Sequence, residues 1–69
     1  MNDNFYLKSV IYIGPEDLTN KIAPGDLGVV VECFSDENYY VEFSNADGTT
    51  KSLVVLQKKY LSLSEENEN

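Results

Sequence analysis

Four breakers cut this chain into pieces of strand length. Gly14-Pro15, Pro24-Gly25, the polar quartet Ser35-Asp36-Glu37-Asn38 and the turn sequence Asn45-Ala46-Asp47-Gly48 separate stretches rich in β-branched and aromatic residues. Neither a long helix nor a parallel β-α-β unit fits between them. The stretches 5–13, 27–34, 39–43 and 51–56 read as strands. Gln57-Lys58-Lys59-Tyr60 interrupts the pattern as one 3₁₀ turn, and Leu61-Ser62-Leu63 forms a short last strand. Short strands at such spacing, joined by tight turns, predict a small all-β barrel, whose closure leaves few exposed strand edges.

The periodicity also assigns faces. In the second strand Leu27, Val29, Val31 and Cys33 alternate with Gly28, Val30, Glu32 and Phe34. The first set is wholly apolar and is expected to face the core; the second holds Glu32 and is expected to be wet. In the third strand Tyr39, Val41 and Phe43 point inward, leaving Tyr40 and Glu42 outside. The fourth strand carries apolar groups on both faces, so its orientation stays open. The stretch 14–24, with both prolines of the chain, reads as a long surface loop with Leu18 and Ile22 tucked inward. Pro24-Gly25 fits a type II turn, because proline presets φ and glycine accepts positive φ. Gly48 takes the left-handed position of a hairpin turn.

Composition narrows the function. A chain of 69 residues is one domain, here 1–63, followed by a disordered acidic tail at 64–69. A domain of this size buries only about 60% of its unfolded surface, so its core is thin. There is no histidine, which removes the commonest general base and metal ligand. One cysteine can form neither an internal disulfide nor a structural zinc site. The net charge of −7, from 12 acids against 5 lysines, disfavours binding to a phosphate backbone. No apolar run approaches the roughly 20 residues of a membrane span, and the polar start does not resemble a signal peptide. A cytoplasmic protein with no membrane association and no cofactor is expected.

The central segment carries a resemblance. Ile22-Ala23-Pro24-Gly25-Asp26-Leu27-Gly28-Val29-Val30-Val31-Glu32 resembles the proline-glycine-aspartate-x-glycine-x-valine-valine-glutamate segment of a family of small, acidic, uncharacterised bacterial SH3-like barrel domains. Tyr39-Tyr40-Val41-Glu42-Phe43 and Asp47-Gly48 are similar to the next strand and hairpin of that family, and 51–63 follows its last two strands. The likeness covers 8–63 and implies a five-stranded SH3-like barrel. A more distant similarity links the glycine-containing segment to KOW-type domains, which contact RNA or proteins. Here Asp26 and Glu32 sit within the segment, and no base lies between Ile22 and Thr50.

Cys33 has neither a histidine nor a neighbouring cation to lower its pKa, and Glu32 opposes thiolate formation; it reads as a small core residue. Paired carboxylates need a cleft between them for acid–base work, and a small barrel is filled by its own side chains. The loop acids lack the ligand spacing of a calcium site. No enzymatic role is expected. By the resemblance, the loops 14–24 and 35–38 border a common binding face. That face would carry Glu16, Asp17, Asp36 and Glu37, with Tyr40 and Glu42 at its rim. An exposed tyrosine suits a protein interface, and an acidic patch steers a basic partner. The expected role is a non-enzymatic protein-binding module, in its most concrete form an inhibitor or immunity-type protein that caps a basic partner such as a toxin or nuclease. Two alternatives remain: a KOW-like nucleic-acid- or ribosome-associated domain using Lys8, Lys51, Lys58 and Lys59, and a structural domain that oligomerises through the 39–43 strand.

The charge is unevenly spread. Asp26, Glu32, Asp36, Glu37, Glu42 and Asp47 give the 22–50 segment six acids and no base, whereas 51–64 holds Lys51, Lys58 and Lys59 and no acid. The central meander is therefore where a cationic partner should touch.

Overall fold

A computed structural model describes residues 5–64. Five strands follow one another: β1 (Ser9–Tyr12), β2 (Leu27–Cys33), β3 (Asn38–Ser44), β4 (Thr50–Gln57) and β5 (Leu61–Leu63). A 3₁₀ turn, Lys58–Tyr60, leads into β5. Every pairing is antiparallel, and the strands lie in one sheet in the order β4-β3-β2-β1-β5. The all-β, five-stranded architecture with a 3₁₀ turn before the last strand is as the sequence predicts. No helix of the described residues is long and apolar enough to cross a membrane.

The sheet curls. In a flat sheet three strand spacings would separate β4 from β1 by roughly 14 Å. Instead the β1–β2 connection reaches β4: Ser52 Oγ donates to the Asn20 carbonyl, and Lys51 Nζ lies 3.0 Å from Asp26 Oδ2. The inner face so enclosed carries the core. Val10 and Tyr12 come from β1, Val30 from β2, Tyr39, Val41 and Phe43 from β3, Val54 from β4, Leu61 from β5 and Ile22 from the long loop. Phe5 stacks on Tyr39 with ring centroids 5.4 Å apart, and Tyr12 meets Phe43 edge-on at 6.3 Å.

Over 27–30 the face assignment of β2 is the reverse of the one expected, while at Glu32 and Cys33 it is as expected. Val30 is fully buried and Gly28 is buried, whereas Leu27 and Val29 are exposed. The cause is Phe43, whose ring occupies the space a side chain at position 28 would need. A β-bulge at Val31 then adds one residue, since Val30 pairs with Val41 but Glu32 with Tyr40. Beyond the bulge the phase is shifted, so Glu32 points out and Cys33 packs against the core.

Other boundaries also move. The first strand is shorter than 5–13, because residues 5–7 form turns and Leu7 adopts φ 60°. Ile22 is buried as expected, but Leu18 is 80% exposed. Ser64 belongs to the folded domain: it is buried, and its N–H donates to the Ser9 carbonyl at 3.0 Å. The rest of the expected tail, 65–69, lies outside the described residues. The strand proposed for oligomerisation, 39–43, is flanked by β2 and β4 on its two sides, so it offers no free edge.

The turns form as their residues dictate. The Asp26 N–H donates to the Ala23 carbonyl at 3.0 Å, and Gly25 sits at φ 100°, the third position of a type II turn. In the β3–β4 hairpin Gly48 sits at φ 93° and its N–H donates to Asn45. Asp47 Oδ1 accepts from both the N–H and the hydroxyl of Thr49.

Candidate partner-binding surface

The outer face of the sheet is unusually apolar for a solvated surface. Cross-strand register sets Val29 beside Glu42 and Glu42 beside Leu53. The next row sets Glu32 beside Tyr40 and Tyr40 beside Val55. Leu27, Val29, Leu53 and Val55 are all exposed. Phe34, 57% exposed, leans on Tyr40 with centroids 5.8 Å apart. Single exposed apolar side chains are ordinary; here register brings several together on one face. Two carboxylates stand within it. Glu42 accepts a hydrogen bond from Thr50 Oγ1 at 2.6 Å, which fixes its position among the apolar groups. Lys51, next in the chain, turns away to Asp26.

The six residues expected to share one face fall in four places. Tyr40 and Glu42 lie on the outer face of β3. Glu16 and Asp17 border a cleft of about 470 Å³ lined also by Tyr12, Leu18, Leu56 and Tyr60. Glu37 borders a second cleft of about 590 Å³, with Phe5, Gln57, Lys58, Lys59 and Leu61. Asp36 is exposed, and its carbonyl accepts from the Tyr39 hydroxyl at 3.3 Å.

Glu16 and Asp17 differ in what they are free to do. Asp17 and Ile22 exchange two backbone hydrogen bonds, of 2.8 and 3.1 Å, across the base of the loop. Both Asp17 carboxylate oxygens are used within it: Oδ1 accepts from the Asn20 N–H at 3.1 Å and Oδ2 from Asn20 Nδ2 at 2.8 Å. These bonds hold the carboxyl below the usual aspartate range. Asp17 thus shapes the loop, while Glu16 is exposed. Beneath them the Tyr12 hydroxyl donates to the Pro15 carbonyl at 2.6 Å. Burial, then the nearby Asp17 and Tyr60, push that hydroxyl above its usual range.

Lys58 and Lys59 border one cleft, and Lys51 stands apart from them. Lys51 and Lys58 stand at opposite ends of β4, about 23 Å apart at strand rise. Lys51 holds Asp26 below the usual carboxylate range, while Lys58 and Lys59 lie 5.3 and 5.2 Å from the rings of Phe5 and Tyr60. Cys33 is half-buried beside the core. Among the described residues no three acids or thiols converge on a metal-sized site.

The sequence places Tyr40 and Glu42 on the outer face of β3, where the register has them, but its alternation places Leu27 and Val29 inward. The available signal is Gly28: a glycine between Leu27 and Val29 leaves room for a large side chain from the next strand, here Phe43.

Fold and surface together define a small, wholly antiparallel β domain with an apolar, carboxylate-bearing sheet face. The chain belongs to the family described as a domain of unknown function (DUF4926), whose model matches residues 15–63. That match begins within the β1–β2 loop and runs to the end of β5. No curated protein and no solved structure matches the chain.

Proposed function

We propose that this chain is a non-enzymatic protein-binding module that receives a basic, partly apolar partner on the outer face of its sheet. One observation carries the reading: Glu32 and Glu42 stand in register among the exposed side chains of Val29, Leu53 and Val55 and the half-buried Tyr40. An apolar surface alone would accept many occupants, whereas carboxylates inside it select a cationic one. The uneven charge supports the same direction, since β2, β3 and their turns hold six acids and no base. The most concrete form of the role is an inhibitor or immunity-type protein that covers a cationic toxin or nuclease. The strand order β4-β3-β2-β1-β5, with a 3₁₀ turn before β5, supports an SH3-like reading of the scaffold.

The experiment is affinity capture from native lysate at about 50 and 200 mM salt, with identification of what is retained. The reading expects a basic protein whose retention falls with salt and is lost for Glu32→Lys/Glu42→Lys and for Tyr40→Ala, each variant remaining folded by circular dichroism. It fails if nothing basic is retained, or if retention is indifferent to those substitutions.

A further inference from the structure

The geometry points to self-association: two copies of this chain pair through β4, antiparallel about a two-fold axis at Val54. β4 is the longest strand, Thr50–Gln57, and it ends the sheet, with β3 on one side alone. Among the described residues no backbone hydrogen bond reaches its other side. Every second residue of such a strand directs its N–H and C=O outward, which is a template for another strand. Native edges are commonly blunted by proline, charge, bulges, shortness or a covering loop. In β4 the charge, the bulge and the loop contacts lie at the start of the strand, where Lys51 reaches Asp26 and Ser52 Oγ reaches the Asn20 carbonyl; Leu53-Val54-Val55-Leu56 carries neither charge nor proline.

The sequence is self-complementary in this register. On the outer face Leu53 lies opposite the partner's Val55, and Val55 opposite the partner's Leu53. On the inner face Ser52 lies opposite the partner's Leu56, and Val54 meets the partner's Val54. At the ends Lys51 falls opposite the partner's Gln57. A shift of the axis to Val55 would instead set Lys51 against the partner's Lys59. The chosen register thus avoids a like-charge pair and joins the exposed apolar side chains of β4 across the axis. Both copies carry a net charge of −7, so the association is opposed by long-range repulsion that salt screens.

Sedimentation equilibrium of the purified chain tests this, over a concentration series at low and high salt. The expected result is a monomer–dimer equilibrium that tightens as salt rises, opposite to the salt response of capture by a basic partner. Leu53→Glu alone and Val55→Lys alone should each weaken the dimer about fivefold or more, and the double variant should restore it, because each glutamate then faces a lysine of the other copy. A strict monomer at every concentration and salt overturns the inference. So does a dimer that the single variants leave unchanged, or one that the double variant fails to restore. These outcomes are read without any partner, so they are independent of the proposed function.

Discussion

Gly28 lies directly beneath the ring of Phe43. A Cβ at position 28 would stand 2.9 Å from Phe43 Cδ1 and 2.9 Å from the Glu42 carbonyl oxygen, closer than side chains are found to approach. This contact fixes which face of β2 is buried, and through it which side chains remain outside. Gly28→Ala should therefore destabilise the domain by about 1–3 kcal/mol through overpacking. Val29→Ala, one residue along on the exposed face, should change stability by well under 1 kcal/mol. Urea unfolding followed by tyrosine fluorescence distinguishes the two; equal effects would show that the face assignment is incorrect.

The long loop contributes to the core through one residue only. Ile22 is 1% exposed and Leu18 is 80% exposed. Ile22→Ala should cost about 2–5 kcal/mol, a large share of the total for so small a domain, while Leu18→Ala should be nearly neutral. Thermal unfolding of both variants gives the comparison directly.

Asp17 and Ile22 close that loop by paired backbone bonds, and Asn20 occupies the Asp17 carboxylate. Asp17→Ala should speed hydrogen exchange at the Ile22 amide without abolishing folding. Glu16→Ala should leave the same amide unchanged. Residue-resolved exchange is the measurement, and equal protection in both variants would count against the carboxylate as the organiser of the loop.

Three aspartates are held below their usual range: Asp26 by Lys51, Asp17 by Asn20 and Asp47 by Thr49. A carboxyl whose folded pKa is depressed adds stability that is complete above its unfolded pKa and is lost as pH falls through its folded one. The melting temperature should thus be flat near neutrality and fall on acidification below about pH 4. Asp26→Asn should lower the neutral plateau and make the acid decline shallower. An acid profile identical in the variant would remove the Asp26–Lys51 contact from the account.

How much was legible follows from what each signal measures. The turns at Pro24-Gly25 and Asn45 to Gly48 depend on local dihedral preferences, and both form where the sequence places them. The inward set of β3 was legible because Glu42 breaks the apolar pattern on the other side. β2 offered no such break before Glu32, so alternation pointed to the larger apolar set and chose the wrong face. The deciding facts, the Phe43 ring over Gly28 and the bulge at Val31, are contacts with another strand, and periodicity within one strand does not contain them. For the candidate surface, residue type identified Tyr40 and Glu42, but only the register of three strands shows what surrounds them. That the loop acids form one patch is implied only by the resemblance to SH3-like barrels, not by the residues themselves. In the folded chain the β1–β2 loop bends over to Ser52, and Glu16 and Glu37 border separate clefts.

The bulge at Val31 decides where the sulfur lies. With strict alternation from buried Val30, position 32 would point inward and position 33 outward. That would place a carboxylate in the core and the chain's single sulfur on the acidic, apolar face where a second protein would rest. The extra residue exchanges the two. Glu32 meets solvent, and Cys33 packs, half-buried, against the core. One added residue in one strand thereby turns the chain's single sulfur away from the outer face of the sheet.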